Sequence, residues 1–228
     1  MKPALKRQFK DQLFEQFARI GKALSNGRRL ELLELLAQRE RTVEELAAES
    51  AMSVANCSRH LQVLRGAQLV EVRREGLYAR YRLADEQVLS LWLSFRQLGE
   101  ARLAEVRRVV ETYLKDRQAL QAITNEELIA RLGKRDVVVL DVRPEEEFSA
   151  GHIAAAQSMP IAELQRRLKE IPKRSTVVAY CRGPYCVFAD EAVSLLRKHG
   201  YEALRLQTGF PEWKIQGLPI ATGLGAPQ

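Results

Sequence analysis

The hydrophobic period of this chain changes once along its length, and that change limits what the chain can fold into. Up to about residue 118 the apolar residues recur at helical spacing, with one exception. Beyond it, short apolar runs alternate with amphipathic stretches. Phe14, Phe17, Ile20 and Leu24 fall on one helical face, and Asn26-Gly27 marks a turn. Leu30, Leu32, Leu33, Leu35 and Leu36 make the next helix strongly apolar. Thr42 and Glu45 have the spacing of a capping box, in which each side chain satisfies the other's backbone N–H. Ser53 is the next N-cap, opening a helix that runs to about Arg65. The exception starts at Leu69: Val70 and Val72 alternate with Glu71 and Arg73, Glu75-Gly76 turns, and Tyr81 and Leu83 return as a hairpin. Asp85 to Leu114 then reads as one long helix with Val88, Leu91, Trp92, Phe95, Leu98, Leu103, Val106 and Val110 on its stripe. A helix of about 30 residues spans about 45 Å. A stripe that long calls for a second subunit to cover it.

The second half carries strands at Val137–Leu140, Thr176–Tyr180 and Ala203–Leu206 between helices near Glu145–Ala150, Ile161–Leu168 and Phe188–His199. Strands alternating with helices predict a parallel α/β sheet. The chain is therefore expected to hold two domains, 1–118 and 119–228. No Pro- or Ser-rich linker separates them, and the join is placed near Lys115–Gln121.

Composition narrows the class further. At 228 residues, 46% hydrophobic and 29% charged, the chain suits ordinary folded domains and not a disordered or fibrous one. It has no apolar stretch long enough to cross a membrane, and no apolar run behind the charges of its N-terminus. Three cysteines do not make a disulfide scaffold, so a reducing cytoplasm is expected. Residues 1–118 hold 22 Lys and Arg against 16 Asp and Glu, a net of +6, and the rest hold 14 against 13, a net of +1. An excess in the first half fits either a polyanion partner or a merely soluble surface.

The element order of the first half is that of a winged helix-turn-helix, whose second helix enters the major groove of DNA. Within Ser53–Leu64, Cys57, Leu61 and Leu64 form the core-facing line. Ser53, Ala55, Asn56, Ser58, Arg59 and Gln62 lie on the other side and suit base edges and phosphates. Arg73, Arg74, Arg80 and Arg82 make the hairpin basic, with Glu71 and Glu75 opposing them. A small core residue accounts for Cys57 better than a redox thiol does, and His60 reads as packed or hydrogen-bonded rather than as a switch.

Residues 53–83, with Ser58-Arg59-His60-Leu61-Gln62-Val63-Leu64, Arg73-Arg74-Glu75-Gly76 and Tyr81-Arg82-Leu83, resemble the ArsR-type transcriptional repressors. The resemblance covers about residues 12–110. It implies a homodimer on double-stranded operator DNA with dyad symmetry. The metal-sensing members carry a Cys-x-Cys pair on the helix that here reads Thr42–Glu49, where there is no cysteine. No metal and no cofactor are expected.

The chemistry of the second half centres on Cys181, at the end of an apolar strand. Arg182, Gly183, Pro184, Tyr185, Cys186 and Val187 follow as a loop leading into a helix. Backbone N–H groups of such a loop point inward and stabilise an anion. Cys181 is then a thiolate nucleophile, with Arg182 adding positive potential at the mouth. Packing alone explains a cysteine there poorly. For Cys186, three readings stand level: a second thiolate, a resolving thiol for Cys181, or loop lining.

Leu140-Asp141-Val142-Arg143-Pro144 through Gly151-His152-Ile153 to Met159-Pro160, with Gly209-Phe210-Pro211-Glu212-Trp213 and Gly217-Leu218-Pro219, resembles the rhodanese signature over about residues 122–222. That implies a domain carrying sulfane sulfur as a Cys181 persulfide, taken from thiosulfate or a low-molecular-weight persulfide. Asp141, Arg143 and His152 read as structural. Phosphatases of related fold use Cys-x5-Arg, but the sixth residue after Cys181 is Val187. The expected fold is thus multidomain: a mainly α winged helix-turn-helix followed by an α/β rhodanese-like domain with a parallel sheet. The expected function is a DNA-binding regulator, in all a repressor, responding to sulfane sulfur. The alternatives are a sulfurtransferase with a DNA-tethering or autoregulatory domain, or a dithiol sensor of oxidant or arsenite.

Overall fold

A computed structural model describes residues 3–76, 78–114, 120–132 and 137–224. Two compact units emerge, Met1–Trp92 and Leu93–Gln228. Most of the join expected near Lys115–Gln121 lies outside the described residues.

The first unit opens with α1 (Pro3–Leu24) and α2 (Gly27–Leu36), the latter capped by the Asn26 side chain. Strand β1 (Arg41–Thr42) leads into α3 (Val43–Glu49). The expected capping box is present: Thr42 Oγ1 accepts from Glu45 N–H at 3.3 Å, and Glu45 Oε2 accepts from Thr42 N–H at 2.7 Å. Helix α4 (Val54–Gly66) starts at Ser53, whose side chain accepts from Asn56 N–H. Cys57, Leu61 and Leu64 are fully buried, as their spacing predicts. Each such leucine contributes roughly 1.5–3 kcal/mol by leaving water. Strands β2 (Val70–Glu75) and β3 (Tyr78–Leu83) pair antiparallel and β1 adds to β3, giving the order β1-β3-β2. Gly76 turns the hairpin at φ +60°, where a side chain would be strained.

The long helix expected over Asp85–Leu114 is broken. Helix α5 (Glu86–Arg102) ends, and α6 (Ala104–Tyr113) starts after Leu103, which is extended at φ −104°, ψ 104°. Apolar spacing reports which side chains share a face and runs unchanged through a backbone break. Gly99, one turn earlier, is the poorest helix former of the segment.

The second unit continues with β4 (Ala122–Ile123), α7 (Asn125–Leu132), β5 (Val137–Asp141), α8 (Glu145–Ala150), β6 (His152–Ile153) and β7 (Ala156–Ser158). Then follow α9 (Ile161–Arg167), β8 (Thr176–Tyr180), α10 (Val187–Lys198), β9 (Ala203–Leu206), α11 (Phe210–Ile215) and β10 (Ile220–Ala221). The central sheet is parallel, in the order β4-β9-β8-β5-β7, and β10 pairs antiparallel with β6. Side chains alternate across it. Val177, Ala179 and Cys181 enter the core that α10 covers with Ala189, Ala192, Val193 and Leu196. Val178 and Tyr180 enter the opposite core with Phe148, Phe210 and Trp213. The period of two therefore decides which face Cys181 takes.

Candidate functional site

Cys181 follows the central strand β8 directly and is 1% exposed. The loop Arg182–Cys186 returns the chain to α10, whose N-cap is Cys186, without a side-chain cap bond. The two thiols meet: Cys181 and Cys186 are joined as a disulfide with their Cα atoms 6.1 Å apart. Cys186 is half-buried. Gly183, Pro184 and Tyr185 lie within the loop, and Val187 is the exposed first residue of α10. Gly209 closes the loop from below. A Cβ there would lie 2.4 Å from Gly183 N and 2.5 Å from the Arg182 carbonyl carbon, so only glycine fits. Phe210 N–H donates to the Cys181 carbonyl at 3.2 Å.

Arg182 does not present its charge at the mouth in the expected way. Its Nε donates to Glu147 Oε1 at 2.9 Å and its Nη2 to the same oxygen at 2.5 Å, and Glu147 is fully buried on α8. The guanidinium is turned inward because a buried carboxylate requires a counter-charge. Glu147 was not singled out from the sequence. It stands in a run of three glutamates, Glu145–Glu147, which signals a helix N-terminus without saying which of them points inward.

A second buried network lies under the strand ends. Arg143 and Asp141 are both 0% exposed. Arg143 Nη2 donates to Asp141 Oδ2 at 2.6 Å and to the Gly151 carbonyl at 2.7 Å. Tyr180 Oη donates to Asp141 at 2.5 Å and accepts from Ile153 N–H at 3.1 Å. Burial lowers the Arg143 pKa, but the Asp141 charge more than offsets it and the net shift is upward. Burial, with that same carboxylate, raises Tyr180 well above the usual phenol range. His152 Nδ1 lies 2.8 Å from the Phe148 carbonyl, and its ring stacks on Phe148. These residues hold the ends of β5 and β8, and so the base of the Cys181 loop.

In the first unit, Ser53, Ala55, Asn56, Arg59 and Gln62 are exposed and Ser58 is half-buried on α4. The helix thus brings them to its outer side. The hairpin arginines are exposed or half-exposed but engaged: Arg73 with Glu40 at 2.7 Å, Arg80 with Glu75 at 3.2 Å, Arg82 with Glu71 at 2.8 Å. Arg74 is exposed. Cys57 is a core residue; burial, and secondarily the Glu44 charge, push its thiol up to about 11. Among the described residues no group of three or more His, Cys, Asp or Glu is arranged to hold a metal ion. No described helix is long and apolar enough to cross a membrane.

Two family models match. Residues 26–72 match the bacterial regulatory protein, arsR family, and residues 124–216 match the rhodanese-like domain. The HTH-type transcriptional regulator Rv0324 of Mycobacterium tuberculosis is 45% identical over 214 residues, covering 94% of each chain. A protein named sulfurtransferase from Allochromatium vinosum is 35% identical over 105 residues, 45% of this chain and 96% of that one. A solved homodimeric winged helix-turn-helix DNA-binding domain from Mycobacterium bovis is 46% identical, over 41% of this chain and 87% of that one, with a TM-score of 0.40. The near-complete match to Rv0324, together with the two family models, makes this chain an ArsR-family transcriptional regulator fused to a rhodanese-like domain.

Proposed function

We propose that this regulator is a cytoplasmic, homodimeric repressor that responds to sulfane sulfur through Cys181 and Cys186. The observation that carries the reading is the pairing of those two thiols across a six-residue segment at the N-terminus of α10. The helix end and loop amides stabilise a thiolate at Cys181. That thiolate attacks the outer sulfur of a hydropersulfide RSSH, forming Cys181–S–SH and releasing RS⁻, which takes a proton from solvent. The Cys186 thiol then attacks the sulfur bonded to Cys181 Cβ. The disulfide forms, and the outer sulfur leaves with both protons as hydrogen sulfide. The sulfane sulfur is the oxidant, gaining the two electrons the thiols lose.

Operator binding belongs to α4 and the hairpin, with Ser53, Ala55, Asn56, Ser58, Arg59 and Gln62 toward the bases and Arg73, Arg74 and Arg80 toward the backbone. A dimer is supported by the exposed apolar side of α1, where Phe9, Phe14 and Phe17 are each more than half exposed.

The test is binding to a DNA site selected by the reduced protein, before and after a persulfide donor, with intact mass recorded. The expected result is a gain of about 32 Da, then a net loss of about 2 Da, together with a change in DNA affinity of at least tenfold. Cys181→Ser is expected to bind DNA as the reduced protein does and to lose the response completely. A response that persists in Cys181→Ser overturns the reading. Many sulfur atoms passed per chain to an acceptor thiol would instead favour a sulfurtransferase.

A further inference from the structure

The loop that carries the two thiols has a single cationic side chain, and the fold spends it. Between Cys181 and Val187 only Arg182 is basic, and its guanidinium is held by the buried Glu147 carboxylate. Beside the loop, within the second unit, lies a cavity of about 490 Å³. Tyr185 and Val187, the two neighbours of Cys186, line it from the loop, and Val106, Val109 and Val110 line it from α6. Glu105 is the one charged residue of the lining among the described residues. A cavity of this size suits a small organic molecule. Its walls favour apolar matter by area, and its one charge repels anions.

We propose that this cavity receives the carrier group of the sulfur donor, so that the protein takes sulfur from apolar organic persulfides and discriminates against the thiosulfate dianion. The inference rests on the sulfur-uptake reading above and adds the class of donor. With thiosulfate the corresponding step would expel sulfite, a second dianion, from a site whose only loop cation is already neutralised. With an apolar persulfide the departing group is a thiolate whose apolar body stays against the valines, next to the half-buried Cys186.

The experiment uses the full-length reduced protein and three donors at equal concentration: benzyl persulfide, cysteine persulfide and thiosulfate. The rate of disulfide formation is followed by intact mass. Benzyl and cysteine persulfides share the reacting S–SH group and differ in the carrier and in leaving-thiol acidity, so the change of their rate ratio in variants of the lining isolates the cavity. The expected ratio is about tenfold or more in favour of benzyl, the size of discrimination an apolar pocket gives, with thiosulfate slowest. Val110→Glu, and independently Val106→Glu, are expected to reduce that ratio about fivefold or more by placing a second carboxylate in the lining. Unaltered ratios in both variants, or thiosulfate as fast as benzyl persulfide, overturn the donor class while leaving sulfur uptake standing. No mass change with any donor overturns the uptake reading and this inference together.

Discussion

Cys57 and Cys181 are equally buried, at 0% and 1% exposure, and the two halves of the molecule make opposite use of them. Cys57 sits inside α4 with its N–H bonded to the Ser53 carbonyl at 2.9 Å, among leucines. Nothing there favours an anion, and burial drives its thiol toward the protonated form. Cys181 sits where a strand stops and a helix is about to start, and Cys186 is brought onto it by the intervening loop. Burial alone makes a thiol inert. A thiol becomes reactive where its thiolate is stabilised, and a strand-to-helix junction, with backbone N–H groups not used within a helix, is one such place. The first unit packs its cysteine inside a helix, and the second places its cysteine at a strand-to-helix junction beside a second thiol.

The largest effect that would sharpen this contrast comes from the charge pair under the thiol loop. Arg143→Met leaves the Asp141 carboxylate buried with Tyr180 but without its counter-ion, at a cost of roughly 3–5 kcal/mol to the second unit. The chain has two tryptophans, Trp92 in the first unit and Trp213 in the second, both buried. In a Trp92→Phe background, urea unfolding followed by Trp213 fluorescence is expected to shift to markedly lower midpoint. In a Trp213→Phe background the Trp92 transition is expected to move little. Equal shifts of both would break the contrast and make the two units one cooperative body.

Much of this was legible in the residues, and what was not has physical reasons. The elements over 145–150, 176–180 and 203–206 fall where period and turn residues place them, because each buries a face against a core. Strands β6, β7 and β10 are two or three residues long, too short to carry a period. The Cys181 loop was visible from the order of residue types. The Cys181–Cys186 bond was not, since a separation of five leaves the Cα distance open. Glu147 and the charge-sinking of Arg182 are tertiary: they are 35 residues apart, and no local pattern pairs them. The same holds for Glu40 and Arg73, which meet across β3, one just before β1 and the other on β2.

Cys57 gives the next prediction, in the opposite direction to the chemistry of Cys181. Its folded pKa of about 11 lies above its ordinary 9.0. The folded state therefore holds the proton more tightly, and this stabilisation is complete below pH 9 and lost as pH rises toward 11. The size of the loss is about 2 kcal/mol over that window. At pH 8 iodoacetamide is expected to alkylate Cys181 and Cys186 in the reduced folded protein and to reach Cys57 only in urea. Rapid labelling of Cys57 in the folded state would remove the distinction between the two thiols.

The smallest effect separates the two surfaces of the first unit. On α4 the exposed Arg59 lies one turn from Asn56 and from Gln62, whereas Arg73 of β2 must leave Glu40 to touch DNA. Arg73→Ala is expected to weaken binding uniformly across DNA sequences and to lower the slope of log K against log salt by about 0.9, the value of one phosphate contact. Arg59→Ala is expected to relax the base preference at one position of each half-site. The two readouts are independent, so each surface can fail alone. If Arg73→Ala leaves the salt slope unmoved, Arg73 stays paired with Glu40 in the DNA complex as in the free protein, and the backbone contacts of the hairpin belong to Arg74 and Arg80.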